Sequence, residues 1–315
     1  MLFKKHLKHF LLVMSLFLFV LMTQAQSYRN ISGWTMDTNH KIESFLNTTL
    51  IRKDRKVAVF DCDGTLLGQS PYYLADEAIY AFAKDAYGDK KDSLSQAKMK
   101  IIENLRGGNN VGVDYVQNRI EFLSGLAPEE IEAIGDTYFY KKYATKFYPE
   151  MRELLANLEA YGFEIWILTA SPEILYQQFV HANLGIPKNR ILGVKSVISQ
   201  GKVTDQLVYP IPQDKGKAEA IATFIKAKPL FVGGNSRGDL EMMNTSIGIK
   251  MIVNPDDEKV EHGTHAGAMD GFTVKQYWNT HNGLSVYCND VPEGNYTFVS
   301  EEMNIKSNKE HPKTK

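Results

Sequence analysis

The run Val57-Ala58-Val59-Phe60 ends in Asp61-Cys62-Asp63-Gly64-Thr65. Carboxylates at the end of an apolar strand must be solvated, paired or bound to something. Two of them, two residues apart, point to the same side of an extended chain. That arrangement suits phosphoryl transfer. Asp61 can attack phosphorus and carry the group as an aspartyl-phosphate. Asp63 can protonate the leaving oxygen and later take a proton from water. Gly64 lets the backbone turn tightly, and amides near Gly64 and Thr65 can face phosphate oxygens.

Three other short stretches add matching groups. Thr169 and Ala170 follow the strand-like Glu164–Leu168, where Thr169 can donate to the same phosphate. Lys215 precedes a helix and supplies the positive charge that holds a carboxylate and a phosphate together. Asn235 and Asp239 lie in Gly234-Asn235-Ser236-Arg237-Gly238-Asp239. Mg²⁺ takes oxygen ligands in octahedral geometry, commonly one or two carboxylates with waters and phosphate. Asp61, the Asp63 carbonyl, Asn235 and Asp239 could supply them. Each member has an ordinary alternative: Asp-x-Asp-Gly as a turn or calcium-loop fragment, Thr169 as a strand-end cap, Lys215 as a surface lysine, Asp239 as a helix cap. The ordered set is far more specific than any one of them.

Positioning these groups requires strands that end at one crevice. Val57–Phe60 reads as a buried strand. From Pro71 to Tyr148 the chain is helical and aromatic, with a break at Gly107-Gly108-Asn109-Asn110. After Pro149, helices at 151–161, 173–183 and 216–225 alternate with strands at 164–168, 191–196, 229–232 and 248–253, the last being the final strand expected. An extended segment spans 202–209. Such alternation predicts an α/β fold, a Rossmann-like doubly wound parallel sheet, whose ligands bind beyond the carboxyl ends of the strands.

The chain has 315 residues and a net charge of −1. Lys4, Lys5 and Lys8, then an apolar run from Phe10 to Met22, then Thr23-Gln24-Ala25, form a signal-peptide pattern. Cleavage after Ala25 leaves a mildly acidic body, which argues against nucleic acid as a partner. It also implies export, periplasmic or secreted, without stable membrane insertion. The two cysteines, Cys62 and Cys288, read as small buried residues rather than a disulfide, because Cys62 lies between the two reactive carboxylates. Residues 303–315 are a polar tail expected to be disordered.

Taken in order, Phe60-Asp61-Cys62-Asp63-Gly64-Thr65-Leu66, Ile167–Ser171, Asp214–Lys217 and Gly233–Met242 resemble the four motifs of the haloacid dehalogenase superfamily. The helical stretch between the first and second motifs resembles the C1-type cap of the phosphoserine phosphatase branch, subfamily IB. The resemblance implies a core of residues 26–70 and 149–302 with a cap of 71–148 inserted after the first catalytic strand. It implies Asp61 as nucleophile, Asp63 as general acid and base, Thr169 and Lys215 as phosphate contacts, and Asp239 near Mg²⁺. An acid at Asp63 implies a phosphatase rather than a dehalogenase. The branch carries an acidic residue four positions before its last aspartate; here it is Asn235, one negative charge fewer.

The expected substrate is a small phosphate ester. Tyr72, Tyr73, Tyr80, Tyr87, Tyr138, Tyr140 and Tyr143 could cage a quaternary ammonium group, as in phosphorylcholine, or could simply pack the cap. Arg119 and Glu121 could contact a phosphoserine-like substrate. A non-catalytic binding protein on the same fold, or a phosphotransferase, is the alternative.

Overall fold

Residues 28–107, 112–257, 259–260, 266–289 and 299–304 are described by a computed structural model. The signal segment at 1–25, most of the glycine-asparagine break and the tail from 305 lie outside the described residues. Seven strands form one sheet in the order β4-β3-β2-β1-β5-β6-β7. They are β1 Val57–Phe60, β2 Glu164–Pro172, β3 Ile191–Ser199, β4 Lys202–Val208, β5 Phe231–Gly234, β6 Ile249–Val253 and β7 Leu284–Val286. All neighbours run parallel except β3 and β4. The central strands β1 and β5 are buried along their whole length, which their unbroken apolar runs require.

The α-helices among the described residues are α1 Met36–Thr48, α2 Leu74–Tyr87, α3 Ser93–Gly107, α4 Val113–Leu123, α5 Pro128–Tyr138, α6 Pro149–Ala160, α7 Glu173–Leu184, α8 Lys215–Ala220, α9 Leu240–Met243 and α10 Val274–Thr280. Val57, Val59, Val232 and Ile252 of the sheet pack with Ile221, Met242 and Trp278 in one core cluster. No helix among the described residues is long and apolar enough to cross a membrane.

Two features differ from the sequence expectation. The strand at 248–253 is not the last: β7 pairs with β6 at the sheet edge. Its three residues are too few to show a period, and Gly283 precedes it. The extended segment at 202–208 is antiparallel, because Gln200 and Gly201, at φ 50° and 74°, make a two-residue turn. A turn that short can only return the chain alongside itself.

Helices α2 to α5 lie between β1 and β2 in sequence and are tied to the core at several points. The chain leaving and re-entering the core pairs with itself, Gly68 N–H to Lys146 O at 2.8 Å and Tyr148 N–H to Leu66 O at 2.9 Å. Phe139 stacks on Phe179 of α7 at 4.6 Å. Gly125 N–H donates to Val203 O at 2.8 Å, so the hairpin reaches up to the end of α4. Ser300–Glu302, grouped with the core by sequence, bond instead to α2 and α5. Their polar atoms find a buried acceptor there, Glu77.

Glu77 is 1% exposed. Its carboxylate accepts from the Ser300 hydroxyl, from the Glu301 and Glu302 amides at 3.0 and 3.3 Å, and from the Tyr138 hydroxyl at 3.3 Å. Lys84 and Lys142 pair with Glu302 and Glu301 around it. Burial outweighs these bonds and pushes the Glu77 carboxyl from 4.5 up to about 6. A folded value above the unfolded one favours the protonated form, so the stability it contributes is full below 4.5 and is lost as pH rises through 6. Denaturant midpoints should therefore fall more steeply between about pH 4.5 and 6.5 in the native chain than in Glu77→Gln. Equal slopes would refute this assignment.

Candidate active site

Phe60 pairs in register with Ile167 of β2 and Gly233 of β5, so the end of β1 lies beside the end of β5 and the middle of β2, which runs on to Pro172. Asp61 is the first residue past β1, with its N–H donating to Gly233 O at 3.0 Å. The loop that follows folds around one acceptor: Cys62 O receives the amides of Thr65, Leu66 and Leu67 at 3.2, 2.9 and 3.0 Å. Gly64 sits at φ 83°, and a Cβ there would run into the Asn235 side chain. Both the turn and the approach of the Asn235 loop need glycine at this position. Cys62 and Cys288 are buried, free thiols.

Asp61 is 5% exposed, and both its carboxylate oxygens are engaged. Lys217 Nζ donates to Oδ1 at 2.7 Å, and the Thr65 hydroxyl donates to Oδ2 at 3.0 Å. Lys217 also bonds Asp239 Oδ1 at 2.6 Å. The other Asp239 oxygen accepts from the Asn235 and Ser236 amides at 2.9 and 3.1 Å, which closes the loop after β5. Burial pushes the Asp61 carboxyl up to about 7, with Lys217 opposing and Asp239 adding to the rise.

Asp63 has different company. Its Oδ1 accepts from the Tyr176 hydroxyl of α7 at 2.7 Å. Its Oδ2 accepts from Ser171 at 3.0 Å and from Thr169 at 3.4 Å. Burial raises the Asp63 carboxyl, against the pull of the Tyr176 and Ser171 hydroxyls. Thr169 in addition accepts the Ser171 amide at 3.1 Å, and Ala170 lies half-buried between them in β2.

The sequence expectation for the lysine is corrected. Lys215 is exposed at the first position of α8, whereas Lys217 is 4% exposed and bridges the two carboxylates. Two helical residues are about 200° apart around the axis, so the two lysines face opposite ways. A Cβ on Gly216 would collide with Ile211 O, so the helix start lies tight against that segment with Lys217 turned inward.

Asp61 and Asp239 share one lysine, and Asp63 stands near enough to Asp61 to add its charge. Such a deficit of positive charge suits a cation. Asp61 Oδ2 and Asn235 Oδ1 also converge on the single proton of the Thr65 hydroxyl, at 3.0 and 3.3 Å. One acceptor is thus left for another partner. These oxygens are hard donors. Among the described residues no three His, Cys, Asp or Glu side chains gather as a ready cluster, so any ion here would complete its shell with the main chain, the Asn235 amide, water or substrate.

The haloacid dehalogenase-like hydrolase family matches residues 58–244, which hold every one of these groups. The chain belongs to that family. It is 27% identical over 206 residues to phosphoserine phosphatase SerB1 of Mycobacterium tuberculosis, a stretch covering 63% of this chain and 65% of that relative. Two solved structures share the fold at a TM-score of 0.56. One is a protein of unknown function from Bordetella pertussis Tohama I, at 13% identity, covering 74% of this chain and 99% of its own. The other is a functionally unknown protein from Anaerococcus prevotii, at 16% identity, covering 77% and 93%.

Sequence reasoning missed how this haloacid dehalogenase-like hydrolase fixes its second aspartate. Tyr176 sits in the first turn of α7 and carries no motif signal. Arg119, named as a substrate contact, is 3% exposed and donates to Asp76 of α2 at 2.8 Å and to the Tyr115 hydroxyl at 2.6 Å. Tyr115 in turn donates to Asp76. Glu121 is exposed. Of the cap tyrosines, Tyr72, Tyr80, Tyr138 and Tyr143 are buried, Tyr73 and Tyr87 half-buried, and Tyr140 exposed. Tyr143 donates to Tyr72 O and Tyr138 to Glu77 and Glu302, so these rings pack the cap rather than form one cage. The Tyr73 hydroxyl, raised chiefly by burial, also responds to Asp63.

Proposed function

We propose that the chain is an exported, Mg²⁺-dependent phosphomonoesterase that acts on a small phosphate ester through an aspartyl-phosphate. The observation that carries this reading is the contrast between two adjacent carboxylates. Asp61 is held by the Lys217 ammonium and the Thr65 hydroxyl, while Asp63 is held by hydroxyls alone; burial raises both carboxyls, and only Asp61 has a cation bonded to it.

The steps follow from that contrast. The Asp61 carboxylate attacks phosphorus, and the bond from phosphorus to the leaving oxygen breaks. Asp63 gives its proton to that oxygen, so an alcohol departs. Water then attacks the phospho-Asp61, Asp63 takes its proton, and the phosphorus–Asp61 bond breaks to release phosphate and restore the Asp61 carboxylate and the protonated Asp63. Thr169 and Ser171 stand beside Asp63 to meet the phosphate, and Lys217 offsets the charge of Asp61 throughout; the Gly64 and Thr65 amides, expected from sequence to face the phosphate, are instead bonded to Leu67 O and Cys62 O. Asp61, the Asp63 carbonyl, Asn235 and Asp239 would hold Mg²⁺, which when bound supplies Lewis-acid charge to the phosphate oxygens.

The relative named for phosphoserine phosphatase supports a small phosphomonoester, and phosphorylcholine belongs in the same test. Hydrolysis of a generic aryl phosphate with and without Mg²⁺, then a panel of phosphoserine, phosphorylcholine and other small esters, tests the reading. Inactivity on all of them would favour a binding protein, and phosphorylated glycerol in the product would favour a transferase. Export rests on the basic start and apolar run ahead of Ala25. The N-terminus of the mature chain should be near Gln26.

Asn235 offers a second test. A carboxylate in place of its amide oxygen should bind a divalent ion more strongly. Asn235→Asp should lower the Mg²⁺ concentration for half-maximal activity, and Asp239→Asn should raise it. Unchanged midpoints in both would remove this loop from the metal site.

A further inference from the structure

Two acidic residues adjacent in α2 are both buried, and they face different partners. Asp76, fully buried, holds Arg119 and Tyr115 of α4, and the Arg119 guanidinium lies 4.1 Å over the Tyr115 ring. α4, which carries Arg119, packs against β2, the strand whose Thr169 and Ser171 hold Asp63, and Arg119 is among the charges that Asp63 feels, so this unit borders the reacting pair. Glu77, one residue on, is claimed by the C-terminal turn. Ser300 caps that turn, accepting from Met303 N–H at 3.0 Å, while Asn304 N–H reaches Ser300 O at 2.8 Å. The first amides of the turn, those of Glu301 and Glu302, point at Glu77, more than two hundred residues away in sequence.

A buried carboxylate is tolerated only when its lone pairs are satisfied. Of the four donors that Glu77 receives among the described residues, three come from the C-terminal turn and one from Tyr138 of α5. Without the turn, Glu77 would keep one of these four donors, the Tyr138 hydroxyl. The first turn of α2 would lose its tie to the C-terminal segment, and Asp76, one residue before Glu77, would be held less firmly. The acids, the turn and Arg119 therefore make one connected unit from the C-terminal turn to the edge of the active site.

We propose that Glu77 is a positioning residue, and that the C-terminal turn Ser300–Asn304 is a strap which holds the first turn of α2, and through Asp76 the Arg119 side chain, in place beside Asp63. The structural half of this proposal stands by itself; its effect on turnover rests on the phosphomonoesterase reading. The Lys142–Glu301 and Lys84–Glu302 pairs lie at the rim, where exposed ion pairs contribute little. The strap acts through its backbone amides and the Ser300 hydroxyl.

The test compares four forms of the mature chain: intact, ended before Val299, Ser300→Ala, and Glu301→Gln. Hydrogen exchange of the α2 amides and steady-state kinetics on an aryl phosphate and on the best ester of the panel are read on each. The truncated chain should exchange faster in the first turn of α2. Its kcat/KM should fall about tenfold to a hundredfold, the scale of an ångström-sized misplacement. Ser300→Ala should do the same in smaller measure, and it serves if the truncated chain does not fold. Glu301→Gln keeps its amide and should match the intact chain in both readouts. Intact exchange and intact kinetics in both the truncated chain and Ser300→Ala would overturn the proposal. So would faster exchange with unaltered kinetics, which would leave the turn a purely structural brace. An intact chain inactive on every ester would sink the phosphatase reading instead, while the exchange data still judge the strap.

Discussion

Asp61→Asn should abolish turnover and leave no phospho-enzyme to trap, while the fold remains. The amide is isosteric with the carboxylate, so Thr65 and Lys217 keep a neighbour of the same shape. What is lost is the nucleophile. Asp63→Asn should behave differently. The new amide would still sit against Tyr176 and Ser171, but it could neither give nor take the proton, and turnover should slow by about 10²–10⁴, the usual scale of general acid–base help. Phospho-enzyme should then persist, because attack of water on it lacks a base. Quenched reactions with a radiolabelled ester measure both. Near-normal turnover in Asp61→Asn would remove the covalent mechanism, and equal, complete loss in both variants would remove the division of labour.

The placement of the two carboxylates could be read from sequence because it depends on short-range facts. An apolar run ending in Asp-x-Asp places both carboxylates past β1, and the alternation of strands and helices places the ends of β2 and β5 beside them. The rest depended on geometry finer than a motif. Lys215 and Lys217 are equally basic in sequence, and only the rotation of one short helix, pressed against Ile211, decides which reaches Asp61. Tyr176 reaches Asp63 because α7 starts directly at the end of β2, a placement no local pattern announces. β7 is three residues long and gives no period. The pairing of Glu77 with Ser300 joins segments whose partnership only the folded chain brings about. By composition the tyrosine-rich cap could be a binding cage or plain packing; most of those rings are packing material, as is usual for large aromatic side chains.

The lysine assignment carries the second large effect. Lys217→Met should lower kcat by about 10²–10³, comparable with loss of one preorganised donor in an active site, while Lys215→Met should stay within about twofold because exposed charges are screened. Burial alone would lower the Lys217 pKa, but Asp239 and Asp61 more than reverse this, so the ammonium stays charged across the working range. Its removal leaves two buried carboxylates facing each other without a counter-ion, and breaking a buried pair in this way costs about 3–5 kcal/mol. Lys217→Met should therefore also melt earlier. Kinetics must be read well below its melting point, with circular dichroism showing a native spectrum. The destabilisation should shrink at acid pH, because Asp61, pushed up to about 7 even with the lysine in place, is then protonated in the variant and the repulsion disappears. If Lys215→Met lost activity while Lys217→Met kept it, α8 would have to be rotated in the working enzyme. The bridge from Asp61 through Lys217 to Asp239 would then not be the arrangement that performs the chemistry.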